Sequence, residues 1–118
     1  RKVLNKYLPF LPGQYFEYKR VVKNMFAPED AWENIFPTVY PQWDRSPRQG
    51  KSDSMYVDST PEAFQQHLET AVSLVAQKQP EHRILCLKSW NEWAEGNYVE
   101  PDLRFGHGYL NAIKNAIK

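Results

Sequence analysis

The sequence predicts an α/β fold in which parallel strands alternate with helices, and three observations carry that prediction. Apolar residues recur at spacings of three and four in three separated segments. Between those segments lie two short runs of aliphatic, aromatic or β-branched residues, Ile35 to Tyr40 and Ile84 to Leu87. The resulting order is helix, strand, helix, strand, helix, which is that of βαβ units.

After Pro12-Gly13, the residues Tyr15, Tyr18, Val21, Val22 and Met25 share one face of an amphipathic helix that ends before Pro28. Ile35-Phe36-Pro37-Thr38-Val39-Tyr40 reads as a strand, weakened by Pro37, which cannot donate to a ladder. From Pro41 to Ser59 the chain is rich in Gly, Pro, Ser and Asp and reads as a long loop. Thr60-Pro61-Glu62 then starts a helix: a capping hydroxyl, a proline in the first turn and a carboxylate near the dipole. Its apolar face is Phe64, Leu68, Ala71, Val72 and Val75, and it stops by Pro80. Ile84-Leu85-Cys86-Leu87 has the continuous apolar pattern of a strand buried on both faces. A polar loop follows from Asn91 to about Gly106. Tyr109, Leu110, Ile113, Ala116 and Ile117 then form the stripe of a last helix.

Two parallel strands do not make a sheet that stands alone. Either Met55-Tyr56-Val57 adds a strand, or residues 1–118 form a single partial domain of something larger; the second is the expectation adopted. In a parallel α/β fold the loops leaving the carboxy-terminal strand ends lie on one face, where active sites sit. The segments from Gln42 to Arg48 and from Asn91 to Asp102 are therefore expected to converge.

Composition excludes several functions. Fifteen Lys and Arg against fourteen Asp and Glu leave a net charge of +1, which gives no electrostatic case for nucleic acid. Lys19, Arg20 and Lys23 read as one solvated helix face. No apolar stretch is long enough to span a membrane, and no basic segment followed by an apolar one opens the chain at Arg1. The single cysteine, Cys86, reads as a buried small hydrophobe, consistent with a cytoplasmic location. No Ser-His-Asp order appears, and Gly106-His107-Gly108 lacks the preceding strand of a phosphate loop. His67 and His82 are expected to face solvent, and His107 to serve the start of the last helix. No cofactor is called for.

The chemistry concentrates in Trp90-Asn91-Glu92-Trp93-Ala94-Glu95-Gly96-Asn97-Tyr98-Val99-Glu100-Pro101-Asp102, with four carboxylates in thirteen residues. Cleavage of a glycosidic bond needs two carboxyl groups in different protonation states. Glu92 and Glu95 point apart on an extended strand, but a turn or short helical segment brings them to one face. Spacing alone leaves two readings open, catalytic acids or solvated loop acids. A metal site is disfavoured, because Glu92, Glu95 and Glu100 do not follow a calcium loop. Trp43, Trp90 and Trp93 can stack on sugar rings, with Trp90 assigned to packing because it ends a buried strand. Asp44 is either a hydrogen-bonding partner for sugar hydroxyls, with Arg48 orienting it or holding a negative group, or the start of an Asx turn. Tyr98 is a candidate aromatic wall.

The run from Trp90 to Gly96, with Val99-Glu100-Pro101-Asp102 and Phe105-Gly106 behind it, resembles the WbsX-type glycosyltransferases of bacterial polysaccharide gene clusters. It also resembles, more distantly, the endo-acting α-mannoside hydrolases of glycoside hydrolase family 99. Tyr40-Pro41-Gln42-Trp43-Asp44-Arg45-Ser46-Pro47-Arg48 is similar to the family's W-D-N-[ST]-P-R segment, with Arg45 in place of Asn. The resemblance covers roughly residues 34–116 and implies a (β/α)8 TIM-type barrel, of which this chain would supply the last strands and helices. By position, Glu92 would deprotonate the sugar 2-hydroxyl, and Glu95 would act as general acid and then base. The hydrolases' N-E-W-H-E-G-T differs here at Ala94 and Asn97, so the transferase-type relatives match better.

The resemblance thus implies a retaining glutamate pair, Glu92 and Glu95, with Trp43, Asp44, Arg48, Asn91, Trp93, Tyr98 and Glu100 as substrate-binding candidates. The implied partner is an oligosaccharide or polysaccharide of lipopolysaccharide or O-antigen type. Two alternatives stand beside this reading. One is a non-catalytic sugar-binding module. The other is that the isolated piece is inactive and self-associates through exposed apolar edges.

Overall fold

A computed structural model describes residues 14–49 and 54–118. Pro12-Gly13 and residues 50–53, which the sequence reading placed before the first helix and inside the long loop, lie outside them. The first segment divides where a single helix was expected. Gln14–Glu17 is a strand, β1, and Tyr18–Lys23 is a short helix, α1. Tyr15 and Phe16 are exposed, whereas Tyr18 is fully buried and its hydroxyl donates to the Tyr40 carbonyl. The helical spacing was genuine only from Tyr18 onward, because β1 finds a parallel partner in β3, Ser54–Val57. Met55-Tyr56-Val57 is therefore the additional strand that the sequence offered as a candidate.

The next two strands are shorter than the apolar runs that announced them. β2 is Thr38–Val39, and it pairs in parallel with β4, Cys86–Leu87. Pro37, though buried, contributes only its carbonyl to the ladder, accepting from the Cys86 N–H at 2.9 Å. The expectation that Ile84 to Leu87 is buried on both faces is corrected. Ile84 and Cys86 are exposed, whereas the alternate residues Leu85 and Leu87 pack against the core, so the run is covered on one face among the described residues. The segment read as loop also contains a turn of helix, α2, Ser46–Gln49.

α3, Pro61–Val75, starts as its sequence specifies: the Thr60 hydroxyl accepts from the Ala63 N–H at 3.2 Å. It packs against the last helix, α4, Gly108–Ala116. Phe64, Leu68 and Ala71 of α3 meet Tyr109 and Ala112 of α4, together with Val39 of β2 and Val99, in one buried cluster. The two helices approach closely at their starts. A Cβ on Gly108 would stand 2.7 Å from Cγ of Pro61, so a larger residue there would push α4 off α3. Ile117, assigned to the apolar stripe, is exposed beyond the end of α4. The described structure is thus an α/β arrangement of helices against parallel strand pairs.

Candidate functional site

Because β2 and β4 run parallel, the chain leaves both at the same end. The segment after β2 passes through Trp43 and Asp44 into α2. The segment after β4 forms a small antiparallel hairpin. Its arms are β5, Asn91–Glu92, and β6, Asn97–Tyr98, joined by a 3-10 turn over Trp93–Glu95. Gly96 closes that turn in the left-handed region at φ +53°. A Cβ at this point would sit 2.9 Å from Cβ of Asp44, so the glycine permits the hairpin to seat on the first loop. There the Asp44 N–H donates to the Glu95 carbonyl at 2.8 Å. The expected convergence of the two loops is observed.

The turn brings Glu92 and Glu95 within reach of a single guanidinium. Arg48 Nη1 stands 2.9 Å from Glu95 Oε1, and Nη2 stands 3.4 Å from Glu92 Oε1. Arg45 Nε adds a third approach, 3.6 Å from Glu95 Oε1. Glu95 is the more enclosed carboxylate, its side chain 13% exposed against 36% for Glu92. Of the two roles expected for Arg48, orienting Asp44 or holding a negative group, the structure shows it paired with the glutamates rather than with Asp44. Asp44 turns its carboxylate to the Ser46 N–H at 2.8 Å, which is the Asx-turn alternative.

The aromatic candidates divide. Trp93 stacks on Tyr98 with ring centroids 3.7 Å apart, and its indole N–H donates to Glu100 at 2.7 Å. Tyr98 donates its hydroxyl to Asp102 at 3.1 Å, and burial raises its pKa. Trp43 is held edge-on to Tyr40, with the Lys88 ammonium 5.4 Å from its ring centre. Asn91 is exposed on the hairpin, paired in register with Tyr98. Trp90, assigned to packing, is 54% exposed, because β4 ends at Leu87 and the chain has already turned outward.

Two residues escaped the sequence reading. Asn97 is fully buried, its side-chain oxygen accepting from the Ser89 N–H at 2.9 Å. The Ser89 hydroxyl donates to the Asn97 carbonyl at 3.0 Å and accepts from the Glu92 N–H at 3.2 Å. This clamp fixes the backbone that carries Glu92. The spacing Ser89 to Glu92, in which a hydroxyl meets an N–H three residues on, is a turn signature and was the available signal.

The sequence model of the family Glycosyltransferase WbsX matches residues 2–113. The chain belongs to the WbsX glycosyltransferase family. Two relatives, each named uncharacterized protein WxcX, come from two strains of Xanthomonas campestris pv. campestris. They are 30% and 29% identical over 110 residues, covering 92% of this chain and 16% of each relative. The chain thus spans about a sixth of the length of these curated relatives. No solved structure matches it at a significant level. For this WbsX-family chain, membership implies a carbohydrate-related function. Among the described residues no group of three His, Cys, Asp or Glu side chains is placed to hold a metal ion. No helix among them is long and apolar enough to cross a membrane.

Proposed function

We propose that the chain supplies the paired glutamates of a carbohydrate-active enzyme, and that it forms the last strands and helices of a (β/α)8 barrel. The observation that carries this reading is Arg48 bridging Glu92 and Glu95, at the end from which both loops leave their parallel strands. A retaining mechanism needs two carboxyl groups flanking the scissile bond, one to assist attack on the anomeric carbon and one to protonate the oxygen leaving from its other face. Glu92 takes the first role, towards the sugar 2-hydroxyl. Glu95 takes the second, as acid and then base. A sugar hydroxyl can replace water as acceptor, so transfer and hydrolysis draw on the same pair. Trp93, fixed by Tyr98 and Glu100, offers an exposed ring face on which a sugar stacks. The substrate is a bacterial polysaccharide or its oligosaccharide precursor, of lipopolysaccharide or O-antigen type, and the site is cytoplasmic.

The exposure of both Trp90 and Trp93 also supports a second reading, a sugar-binding surface without turnover. The two part on one experiment. The intact protein is incubated with α-linked oligosaccharides and a panel of nucleotide sugars, and product masses are followed beside Glu95→Gln. Cleavage or transfer that the substitution abolishes supports the enzyme. A fully active Glu95→Gln overturns the assignment, and glycan binding without product in either protein supports the binding surface.

A further inference from the structure

Away from the glutamates, α1, the 3-10 turn Pro28–Ala31 and α3 enclose a cleft of about 760 Å³. That volume falls within the range of small-molecule sites, roughly 300–1,000 Å³. Its walls are apolar, built from Val22, Phe26 and Leu74. His67 lines it from the middle of α3, 3% exposed, and among the described residues neither ring nitrogen has a hydrogen-bond partner. The ring stacks on Phe26, centroids 5.0 Å apart, which covers one face, and both of its nitrogens are buried polar atoms. A buried imidazole is ordinarily satisfied by protein or water. Here a polar group arriving in the cleft would satisfy it.

The rim carries charge of one sign. Lys19 and Lys23 both line the cleft and stand four residues apart, on one face of α1. Of the carboxylates on the adjoining elements, Asp30 and Glu62 make local bonds. Asp30 accepts from the Ala27 N–H at 2.8 Å; Glu62 is bonded to its own backbone N–H and to Thr60 and also feels the charge of Lys19, so Lys23 is the lysine that carries the test. We infer that this cleft binds a small amphiphilic anion, its apolar body on Val22, Phe26 and Leu74, an oxygen at His67 and its charge at the two lysines. Desolvation pulls the ring's pKa down to about 4, so at neutral pH it offers one N–H and one lone pair rather than a charge. The attraction for the anion therefore comes from the lysines, and His67 recognises its oxygen atoms.

The test titrates the intact protein with decanoate and, in parallel, with decanol, by calorimetry and by ¹⁵N–¹H spectra of the His67 ring. The expected result is one saturable decanoate site that moves the His67 resonances, with decanol at least tenfold weaker. Lys23→Ala removes an exposed side chain and leaves the core untouched, so it isolates the charge. It should weaken decanoate tenfold or more and leave decanol unchanged. Decanoate binding that ignores Lys23→Ala, or that leaves the His67 ring unmoved, overturns the inference. So does the absence of any saturable binding.

Discussion

Arg48 and Glu95 stand 47 residues apart in sequence and meet at 2.9 Å between Nη1 and Oε1. The same guanidinium reaches Glu92 at 3.4 Å, so one side chain from the first loop spans both acids of the second. The pairing depends on backbone set elsewhere: parallel β2 and β4, the bond from Asp44 to the Glu95 carbonyl, and the left-handed turn at Gly96.

Arg48→Ala should barely alter stability. The Arg48 side chain is half exposed, and such pairs contribute about 0.2–1 kcal/mol. Turnover should fall by roughly tenfold or more, because the acids lose the group that holds them together. Lys at this position should restore little, since an ammonium lacks the fork that meets two carboxylates. Equilibrium unfolding and product formation on the same preparations check both statements.

Gly96→Ala should do the opposite and cost stability directly. The left-handed conformation strains a residue with a Cβ by about 1–2 kcal/mol, and contact with Asp44 adds to it. The expected loss is roughly 2–3 kcal/mol in denaturant unfolding.

His67 makes stability depend on pH. Burial lowers its pKa from 6.5 to about 4, so between those values the unfolded chain binds a proton that the folded chain refuses. Its contribution is complete above pH 6.5 and is lost as pH falls towards 4, on the order of 3 kcal/mol in all. His67→Phe keeps a ring against Phe26 and removes two nitrogens that have no partner among the described residues. It should flatten the slope in this window and raise stability at pH 7 by about 1–2 kcal/mol. Urea midpoints across pH 4–7 read out both.

Ser89→Ala should release the backbone of Glu92. It removes one hydroxyl that both accepts from the Glu92 N–H and donates to the Asn97 carbonyl, at a cost of about 1–2 kcal/mol. Amide exchange at Glu92 should accelerate, while amides inside α3 stay protected.

Elements with a local cause were legible. Thr60-Pro61-Glu62 specifies the start of α3 whatever surrounds it, and Phe64, Leu68 and Ala71 fall in the core as their spacing requires. Elements decided by distant partners were not. Tyr15 fits a helical stripe, yet it lies in a strand because Met55 lies beside it. His67 and Trp90 were assigned opposite environments to those they occupy. A histidine at the boundary of an apolar face has no sequence signal for burial, and Trp90 lies three residues past the end of β4 at Leu87, where the chain has left the strand. At the candidate site, carboxylate density singled out the segment that carries Glu92 and Glu95, while spacing alone left their role open. The pairing of Arg48 with the glutamates was not legible, because the fold that carries it to them is tertiary. The Ser89–Asn97 clamp went unread because its bonds close only once the hairpin has formed.

The most direct measurement is turnover of one glycan substrate by the intact protein beside Glu92→Gln, Glu95→Gln and Glu100→Gln, each with its folding verified. Positioned acids and bases contribute roughly 10²–10⁴-fold, so both members of the pair should fall by at least a hundredfold. Glu100→Gln, which alters only the acceptor for Trp93, should fall far less. Equal and modest losses in all three would contradict the account, leaving Glu92 and Glu95 as loop acids like any other.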